Sequence, residues 1–360
     1  MGTTSPTPEE ENVAKGADPF QEFTTSGNTP LMVACKNGHL GSVKILVENA
    51  KADIEIGDND GITALMYAAF NGKRNVVEYL VTSAGAIVDK RDKNGFTALI
   101  YACRNGHLDI VRILVENAKA DIEIANNFGK TALMLAALNE QMNIVKYLVT
   151  SAGAVVDKRD NNDETALMFA CERGHLDIAR FFVENAKADI EITTDNGNTA
   201  LIYAVFNEDN KDIVEYLVTS AGAVVDKRDK NGITALMVTC ARGHFDIARF
   251  LVENAKADIE ITTNRGYTAL IYAAFNGKTD IVEYLVNSAG AIVDKRNNNG
   301  KTALMYACEK GHLDTVQFLV DKCRVNMEIE DNDGNTALFY AKREGNEEIV
   351  RFLNNKRIWF

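Results

Sequence analysis

The sequence predicts an all-α solenoid, a stack of helical hairpins with a turn finger in every repeat. A signature of Thr-Ala-Leu or Thr-Pro-Leu occurs ten times at a regular step of about 34 residues, which indicates one supersecondary unit that buries its apolar face only against neighbouring copies. One step, from Thr199 to Thr234, is longer by a single position. Apolar residues recur at helical spacing, as at Leu65, Ala68 and Ala69. The signature threonines are Thr29, Thr63, Thr97, Thr131, Thr165, Thr199, Thr234, Thr268, Thr302 and Thr336.

Each repeat is predicted to contain two helices and a β-turn or hairpin finger. The signature threonine suits the N-cap of the first helix, since its hydroxyl can accept from free N–H groups of the first turn. A polar break, Gly-His in five repeats, precedes the second helix, which ends at Ala-Gly-Ala or Ala-Lys-Ala. A polar stretch with Asn-Gly or Asp-Gly turn signals, as at residues 94–95, leads to the next threonine.

The predicted domain organisation is one array preceded by a polar leader. Residues 1–26 hold three of the four prolines and are expected to be mostly disordered. Residues 27–360 are expected to form a single array. Phe20 and Phe23 of the leader could cap the first repeat, and Trp359 and Phe360 are expected to fold back over the last helix pair. The ten repeats start near residues 27, 61, 95, 129, 163, 197, 232, 266, 300 and 334.

These repeats closely resemble the ankyrin repeat family. The family unit reads Gly-x-Thr-Pro-Leu-His, two Ala, Gly-His and Ile-Val, and here Gly61 to Met66, Ala68-Ala69 and Gly106 to Val111 match it. The resemblance covers residues 27–360 and implies an ankyrin solenoid. Two departures concern the signature: Pro is Ala in nine repeats, and the following His is Met, Ile or Phe in all of them. The Thr-His hydrogen bond of the family is therefore lost, and apolar packing is expected to replace it.

A second period spans two repeats, about 68 residues, so that odd and even repeats alternate. The segment Leu46 to Ile56 recurs unchanged at residues 114–124 and 251–261. Where even repeats end the second helix with Gly, four odd repeats carry Lys51, Lys119, Lys187 or Lys256. Either these lysines adopt the left-handed conformation, at about 1 kcal/mol each relative to Gly, or Asn49 and its equivalents take that role.

Composition limits the classes of partner. Hydrophobic residues make up 46% of the chain, and no apolar run approaches the ~20 residues that span a bilayer. A net charge of −12 argues against nucleic acid as a general partner, since phosphate binding needs a concentrated basic face. Unpaired cysteines favour a reducing compartment, so we expect the cytoplasm, with the nucleus as the alternative.

A Cys and a His four residues apart recur in the odd repeats, as at Cys103 and His107. Equivalent residues two repeats apart are separated by about 20 Å, too far to share a disulfide or a metal ion. One pair offers two of the four ligands that a structural zinc needs, and no orienting carboxylate accompanies it. We therefore interpret these residues as structural, and predict no enzymatic activity, no catalytic residues, no cofactor and no metal; Cys323 is the candidate for an exposed thiol.

The resemblance implies that a protein partner binds the concave surface, formed by the turn tips and the exposed side of the first helices. Aromatic or aliphatic residues of even repeats alternate there with charged residues of most odd ones. The alternative is that the aromatic side chains are covered by the neighbouring turn. The predicted partner-binding residues are Phe70, Phe96, Arg104, Leu138, Arg173, Phe206, Ile233, Arg242, Tyr267, Phe275 and Lys310.

A secondary basic row lies in the turn segments of the even repeats. Each Lys-Arg pair is flanked by Asp or Asn, as by Asp89 and Asp92, which favours local salt bridges. A second interpretation is that the Lys-Arg pairs bind an acidic peptide, and a third is that they bind nucleic acid. The row comprises Lys90, Arg91, Lys158, Arg159, Lys227, Arg228, Lys295 and Arg296.

The function that the family resemblance implies is a protein-interaction scaffold or adaptor that presents a preorganised surface to a partner. Two alternatives stay open at this point. One is a regulatory subunit that inhibits an enzyme by covering its site, and the other is a self-assembling array, although a monomer is favoured over a homo-oligomer. The identity of the partner is not encoded in the repeat pattern.

Overall fold

The protein folds into consecutive pairs of short antiparallel helices. The structure, a computed structural model, describes residues 26–357, so the expectations for the leader, Phe20, Phe23, Trp359 and Phe360 lie outside the described residues. Within that range there are twenty α-helices. The first helices of the repeats are α1 Pro30–Asn37, α3 Ala64–Phe70, α5 Ala98–Arg104, α7 Ala132–Leu138, α9 Ala166–Arg173, α11 Ala200–Ala204, α13 Ala235–Arg242, α15 Ala269–Phe275, α17 Ala303–Lys310 and α19 Ala337–Arg343.

The second helices follow after a break of two to six residues. In the first three repeats they continue into a π-helical turn, at Ile45–Asn49, Leu80–Ala84 and Ile113–Asn117. Their bounds are α2 Leu40–Lys44, α4 Arg74–Tyr79, α6 Leu108–Arg112, α8 Met142–Thr150, α10 Leu176–Glu184, α12 Lys211–Thr219, α14 Phe245–Glu253, α16 Thr279–Asn287, α18 Leu313–Asp321 and α20 Glu347–Arg357.

The chain divides into two compact units. The N-terminal unit comprises the described parts of residues 1–170 with 177–188, and the C-terminal unit comprises residues 171–176 with the described parts of 189–360. In the N-terminal unit α1, α3, α5 and α7 pack in succession, and so do α2, α4, α6 and α8. In the C-terminal unit α11 to α19 and α12 to α20 pack in the same alternating way. The first-helix residues after the cap, such as Leu99 and Ala102, are almost completely buried.

The signature threonines cap the first helices, as the sequence predicts. In nine repeats the threonine Oγ1 accepts from the N–H group three residues later, for example from Met66 to Thr63; Thr336 is an N-cap without that bond. The methionines Met32, Met66 and Met134 at the position of the family's His are only 1% exposed, which agrees with the apolar packing expected in place of the Thr-His bond. The N–H groups of Thr29, Thr63 and Thr131 donate to the Sδ atom of the methionine three residues later, at 3.4 Å.

The four lysines that replace the helix-ending glycine adopt the left-handed conformation. Their φ angles are 57–60°, close to those of the equivalent Gly85 and Gly222 at 78° and 80°. The next amide in each repeat, such as that of Ala257, then donates to a carbonyl six residues back. The first alternative from the sequence is therefore confirmed, and Asn49 does not take that role.

The turn fingers join the repeats through backbone and asparagine hydrogen bonds. Within a finger, Asp92 N–H donates to Phe96 O at 3.0 Å, and between fingers Lys93 N–H donates to Asp60 O at 2.9 Å. The side chain of Asn127 donates to Lys93 O at 2.8 Å, and the same bond recurs between later fingers. The described residues form no β-strand; two isolated bridges lie beside the fingers.

The extra residue of the longer step lies in the polar break of repeat 6. There α11 ends at Ala204, and a 3-10 turn at Glu208–Asn210 absorbs the insertion. The buried amide of Asn210 donates to the carbonyl oxygens of Cys171, Ala204 and Glu172 at 2.9, 3.0 and 3.2 Å. The insertion is thus tied back to the preceding first helix, and the helix pairing continues.

Candidate partner-binding face

Apolar and positively charged side chains lie at the C-terminal ends of the first helices. We call this set the helix-end row: Phe70, Arg104 and Leu138 in the N-terminal unit, and Arg173, Phe206, Arg242, Phe275 and Lys310 in the C-terminal unit. Its arginines and its lysine are exposed, Phe70 is 43% exposed, and Leu138, Phe206 and Phe275 are half-buried. The helix termini thus bring apolar and positively charged side chains to one edge of each unit.

Aromatic rings of the helix-end row pack against the following repeat. Phe70 lies edge-on to Tyr101, with ring centroids 5.7 Å apart. The guanidinium of Arg242 lies 4.7 Å from the ring centroid of Phe206, and Lys310 Nζ lies 4.8 Å from that of Phe275. A cation over an aromatic face is attracted by the quadrupole of the ring. These contacts hold the aromatic side chains in place, and each side chain remains partly exposed to solvent.

The cations of the helix-end row are not neutralised within the described chain. No carboxylate among residues 26–357 lies within ion-pair distance of Arg104, Arg173, Arg242 or Lys310. These four side chains therefore carry positive charge without an ion-pair partner, although the chain has a net charge of −12. Unpaired guanidinium and ammonium groups beside aromatic rings can bind carboxylates of another molecule.

The turn tips add a second line of apolar residues. Phe96, Ile233 and Tyr267 are all half-buried. Phe96 packs on Tyr101, with ring centroids 5.2 Å apart, and the hydroxyls of Tyr267 and Tyr306 are hydrogen-bonded at 2.7 Å. Around Ile233 and Tyr267 the C-terminal unit has an open groove of about 460 Å³. The tips thus extend the surface that begins at the helix ends.

The lysines of the secondary basic row form salt bridges, but with glutamates of the preceding repeat and not with the flanking aspartates. The Nζ atoms of Lys90, Lys158, Lys227 and Lys295 lie 2.8–3.3 Å from the carboxylates of Glu55, Glu123, Glu191 and Glu260. Each glutamate also accepts a backbone N–H of the lysine's repeat, such as that of Ile292 at 2.9 Å. We call these four Glu–Lys pairs the clamps.

The arginines and aspartates of the same segments bond to the next repeat. Arg91 and Arg228 donate to finger carbonyls at 3.1 and 3.0 Å, Arg296 donates to the side chain of Asn332, and Arg159 lies 3.8 Å from Asp163. The carboxylate of Asp89 accepts the backbone N–H of Asp121. The basic row is thus largely occupied in joining repeats, whereas Arg104, Arg173, Arg242 and Lys310 of the helix-end row form no ion pair with the described residues.

A family model described as ankyrin repeats (3 copies) matches residues 10–92, 84–160, 152–229, 221–297 and 289–358, almost the whole chain. The chain belongs to the ankyrin repeat family. Ankyrin repeats are protein-interaction modules, so a general role in protein binding follows. Comparison with curated protein sequences gives no match.

The first-helix Cys residues of the odd ankyrin repeats are buried, and three of the His residues are hydrogen-bonded to backbone carbonyl groups. The five cysteines are buried, and burial raises the pKa of each thiol, which keeps it protonated at neutral pH. His107 Nε2 and His312 Nε2 donate to the carbonyl oxygens of Phe70 and Phe275 at 3.0 Å. Cys323 is half-buried, and burial followed by the charge of Glu283 raises its pKa.

The described residues contain neither a cluster of metal ligands nor a membrane-spanning helix. Across residues 26–357 no group of three or more His, Cys, Asp or Glu side chains could hold a metal ion. In the same range, every helix is too short or too polar to cross a bilayer.

Sequence reasoning missed two features of the ankyrin array. One is the clamp glutamates, whose signal was that Glu and Lys both recur in every second repeat at a nearly constant separation. The other is a set of β-branched residues after the second helices of even repeats, 53–57% exposed: Ile87, Val155, Val224 and Ile292. These exposed residues lie apart from the helix-end row and supply matched controls for it.

Proposed function

We propose that this protein is a non-enzymatic ankyrin scaffold that binds a protein partner at the helix-end row and the turn tips. The observation that carries the proposal is the set of unneutralised cations, Arg242 and Lys310 above all, held against the aromatic rings of Phe206 and Phe275. Arginine and aromatic residues are enriched among the side chains that dominate binding energy.

The chemistry of this face favours an acidic partner. Every lysine of the clamps has a glutamate of its own, whereas the helix-end cations have none among the described residues. The fixed rings and helix ends lose little conformational entropy on binding, so the entropic cost falls mainly on the partner. An extended acidic segment or an acidic patch on a folded protein fits this surface.

The buried thiols support the non-enzymatic part of the proposal. The thiolate is the nucleophilic form of cysteine, and a raised pKa removes it at neutral pH. The six cysteines are free, which supports a reducing compartment, the cytoplasm or the nucleus, as the site of action.

The test is affinity capture from a lysate with mass spectrometry, using a triple variant of Phe70, Phe206 and Phe275 to Ser. The changed side chains are partly exposed, so circular dichroism should show the fold retained. We expect the partner set of the unaltered chain to be lost. A second triple variant, Arg104→Glu, Arg242→Glu and Lys310→Glu, keeps the rings and reverses the charge, and it should lose the same partners.

The matched control changes Ile87, Val224 and Ile292 to Ser, because these residues are also exposed and apolar but lie after the second helices. This control should retain capture. If both helix-end variants capture the same proteins as the unaltered chain, the helix-end row is not the binding face and the proposal is wrong.

A further inference from the structure

An open groove lies between the fingers of repeats 7 and 8. It has a volume of about 460 Å³ and lies within the C-terminal unit. Ile233, Tyr267, Tyr272 and Phe275 form its apolar lining, and Arg265 stands exposed at its lip. A volume of this size accommodates one large side chain with the backbone on either side of it.

The Tyr272 hydroxyl lacks the side-chain partner that four other first-helix tyrosines have. Tyr67, Tyr101 and Tyr340 donate their hydroxyls to an aspartate of their own finger, and the Tyr306 hydroxyl accepts from Asn297. These finger residues lie nine positions before the tyrosine, and Thr263 occupies that position before Tyr272. The Thr263 Oγ1 accepts the Tyr267 backbone N–H at 3.1 Å.

The Tyr272 hydroxyl consequently makes no hydrogen bond to any of the described residues. Burial, with the neighbouring Tyr267 and Asp229, raises the pKa of Tyr272, and the charge of Arg265 opposes that rise. The hydroxyl is therefore a proton donor that stands within the field of a guanidinium.

Arg265 has no internal partner either. No carboxylate of residues 26–357 forms an ion pair with its guanidinium, and the finger is held by the backbone carbonyl of Arg265, which accepts from Asn298 N–H. Asp229, whose charge reaches Tyr272, already accepts the N–H groups of Asn231 and Ile233. The groove thus combines two unused donors with a floor of rings.

The ring floor is rigid. Tyr267 packs on Tyr272 and on Tyr306, with centroids 5.6 and 5.5 Å apart, and its hydroxyl is tied to that of Tyr306. A preformed apolar floor holds a side chain at low entropic cost. At the same register in repeat 4, Arg265 and Tyr272 are replaced by Phe128 and Leu135, so neither donor is present in that repeat.

We propose that this groove binds an extended segment of a partner protein in which an Asp or Glu stands beside a large apolar residue. The carboxylate receives hydrogen bonds from the Arg265 guanidinium and the Tyr272 hydroxyl, and the apolar side chain packs on Ile233, Tyr267 and Phe275. The inference rests on the proposed partner-binding function and assigns the partner's recognition chemistry.

The test is selection of a phage-displayed library of random dodecapeptides on the full chain. We expect enrichment of peptides that carry Asp or Glu next to Phe, Tyr, Leu or Met. Arg265→Glu should weaken the enriched peptides by about 10-fold to 100-fold, because a charge-assisted hydrogen bond is replaced by repulsion. Tyr272→Phe should weaken them by about threefold to tenfold through loss of one hydrogen bond.

Arg249→Glu is the matched control, since it makes the same charge change on an exposed arginine of the second helix α14, outside both the groove and the helix-end row, and affinity should change less than about twofold. Enriched peptides without the acidic-apolar pair, or equal binding to the Arg265→Glu and unaltered chains, overturn the groove inference while partner binding at the helix-end row stands. If no peptide is selected and the lysate also yields no partner, both proposals fail.

Discussion

Replacing Lys256 by Gly should stabilise the protein. Lys256 ends a second helix with a φ of 57°, and the equivalent Gly222 has a φ of 80°. A residue with a Cβ atom in the left-handed conformation costs about 1–2 kcal/mol. The greater freedom that glycine gives the unfolded chain offsets about 0.4–1 kcal/mol of this. The expected net gain from Lys256→Gly is therefore about 0.5–1 kcal/mol in the free energy of unfolding.

The reverse change tests the same cost at a glycine. A Cβ atom added to Gly222 meets no atom within 4 Å, so Gly222→Ala carries the dihedral cost without a steric clash. It should therefore destabilise by about the amount that Lys256→Gly gains. Lys119→Gly should gain less than Lys256→Gly, because Lys119 Nζ donates to Glu116 O at 2.7 Å and that bond is lost.

The assay is urea unfolding followed by circular dichroism, together with hydrogen exchange of the Ala257 and Ala223 amides. Each of these amides donates to a carbonyl six residues back at 2.9 Å, directly after the left-handed residue. Lys256→Ala is the control, because it removes the side chain and keeps the Cβ atom. A Lys256→Gly variant no more stable than Lys256→Ala, combined with an unaffected Gly222→Ala, would refute the reasoning.

Two further predictions concern the clamps and the last repeat. Glu260→Gln loses the ion pair with Lys295 at 2.8 Å but keeps an acceptor for Ile292 N–H, so it should lower the free energy of unfolding by about 0.5 kcal/mol. Glu260→Ala loses both interactions and should lower it by about 1–1.5 kcal/mol. Thermal unfolding measures both changes, and Glu283→Gln, at an exposed position, is the neutral control. Burial alone would raise the pKa of Asp331, but hydrogen bonds from Tyr340 and from backbone N–H groups lower it. The ionised carboxylate therefore stabilises the fold fully above the usual carboxyl pKa of about 3.9, and this stabilisation is lost as the pH falls through the lower pKa of the folded state. Tyr340→Phe should flatten that acid dependence, and an unchanged pH profile of unfolding would contradict the assignment.

The repeat pattern was sufficient to predict the architecture because each element depends on local chemistry. A threonine hydroxyl can cap the helix that it precedes through bonds to neighbouring residues only, and the ten signatures therefore located the first helices. The spacing of Cys103 and His107 predicts a structural role for both residues, and this interpretation stays a prediction. The positions of the helix-end row could also be predicted, because Phe70 and Arg104 occupy equivalent positions at the ends of the first helices of their repeats.

Contacts between repeats could not be predicted in the same way. The sequence placed aspartates beside Lys90 and suggested local salt bridges, but Glu55 of the preceding repeat is its partner. A carboxylate one full repeat away in the chain is brought within 3.3 Å only by stacking. Likewise the sequence showed an extra residue in repeat 6, and only the structure shows Asn210 buried and bonded to three carbonyls.

The sequence by itself determined the family, the helices, their caps and the alternation of odd and even repeats, because all of these are periodic and local. Tertiary structure decided which cations are neutralised and which stay available. Lys295 and Arg242 are both positive and both have basic equivalents in every second repeat, yet one meets a glutamate and the other an aromatic ring. That difference arises from the packing of neighbouring repeats, which sets the distance between side chains far apart in the chain.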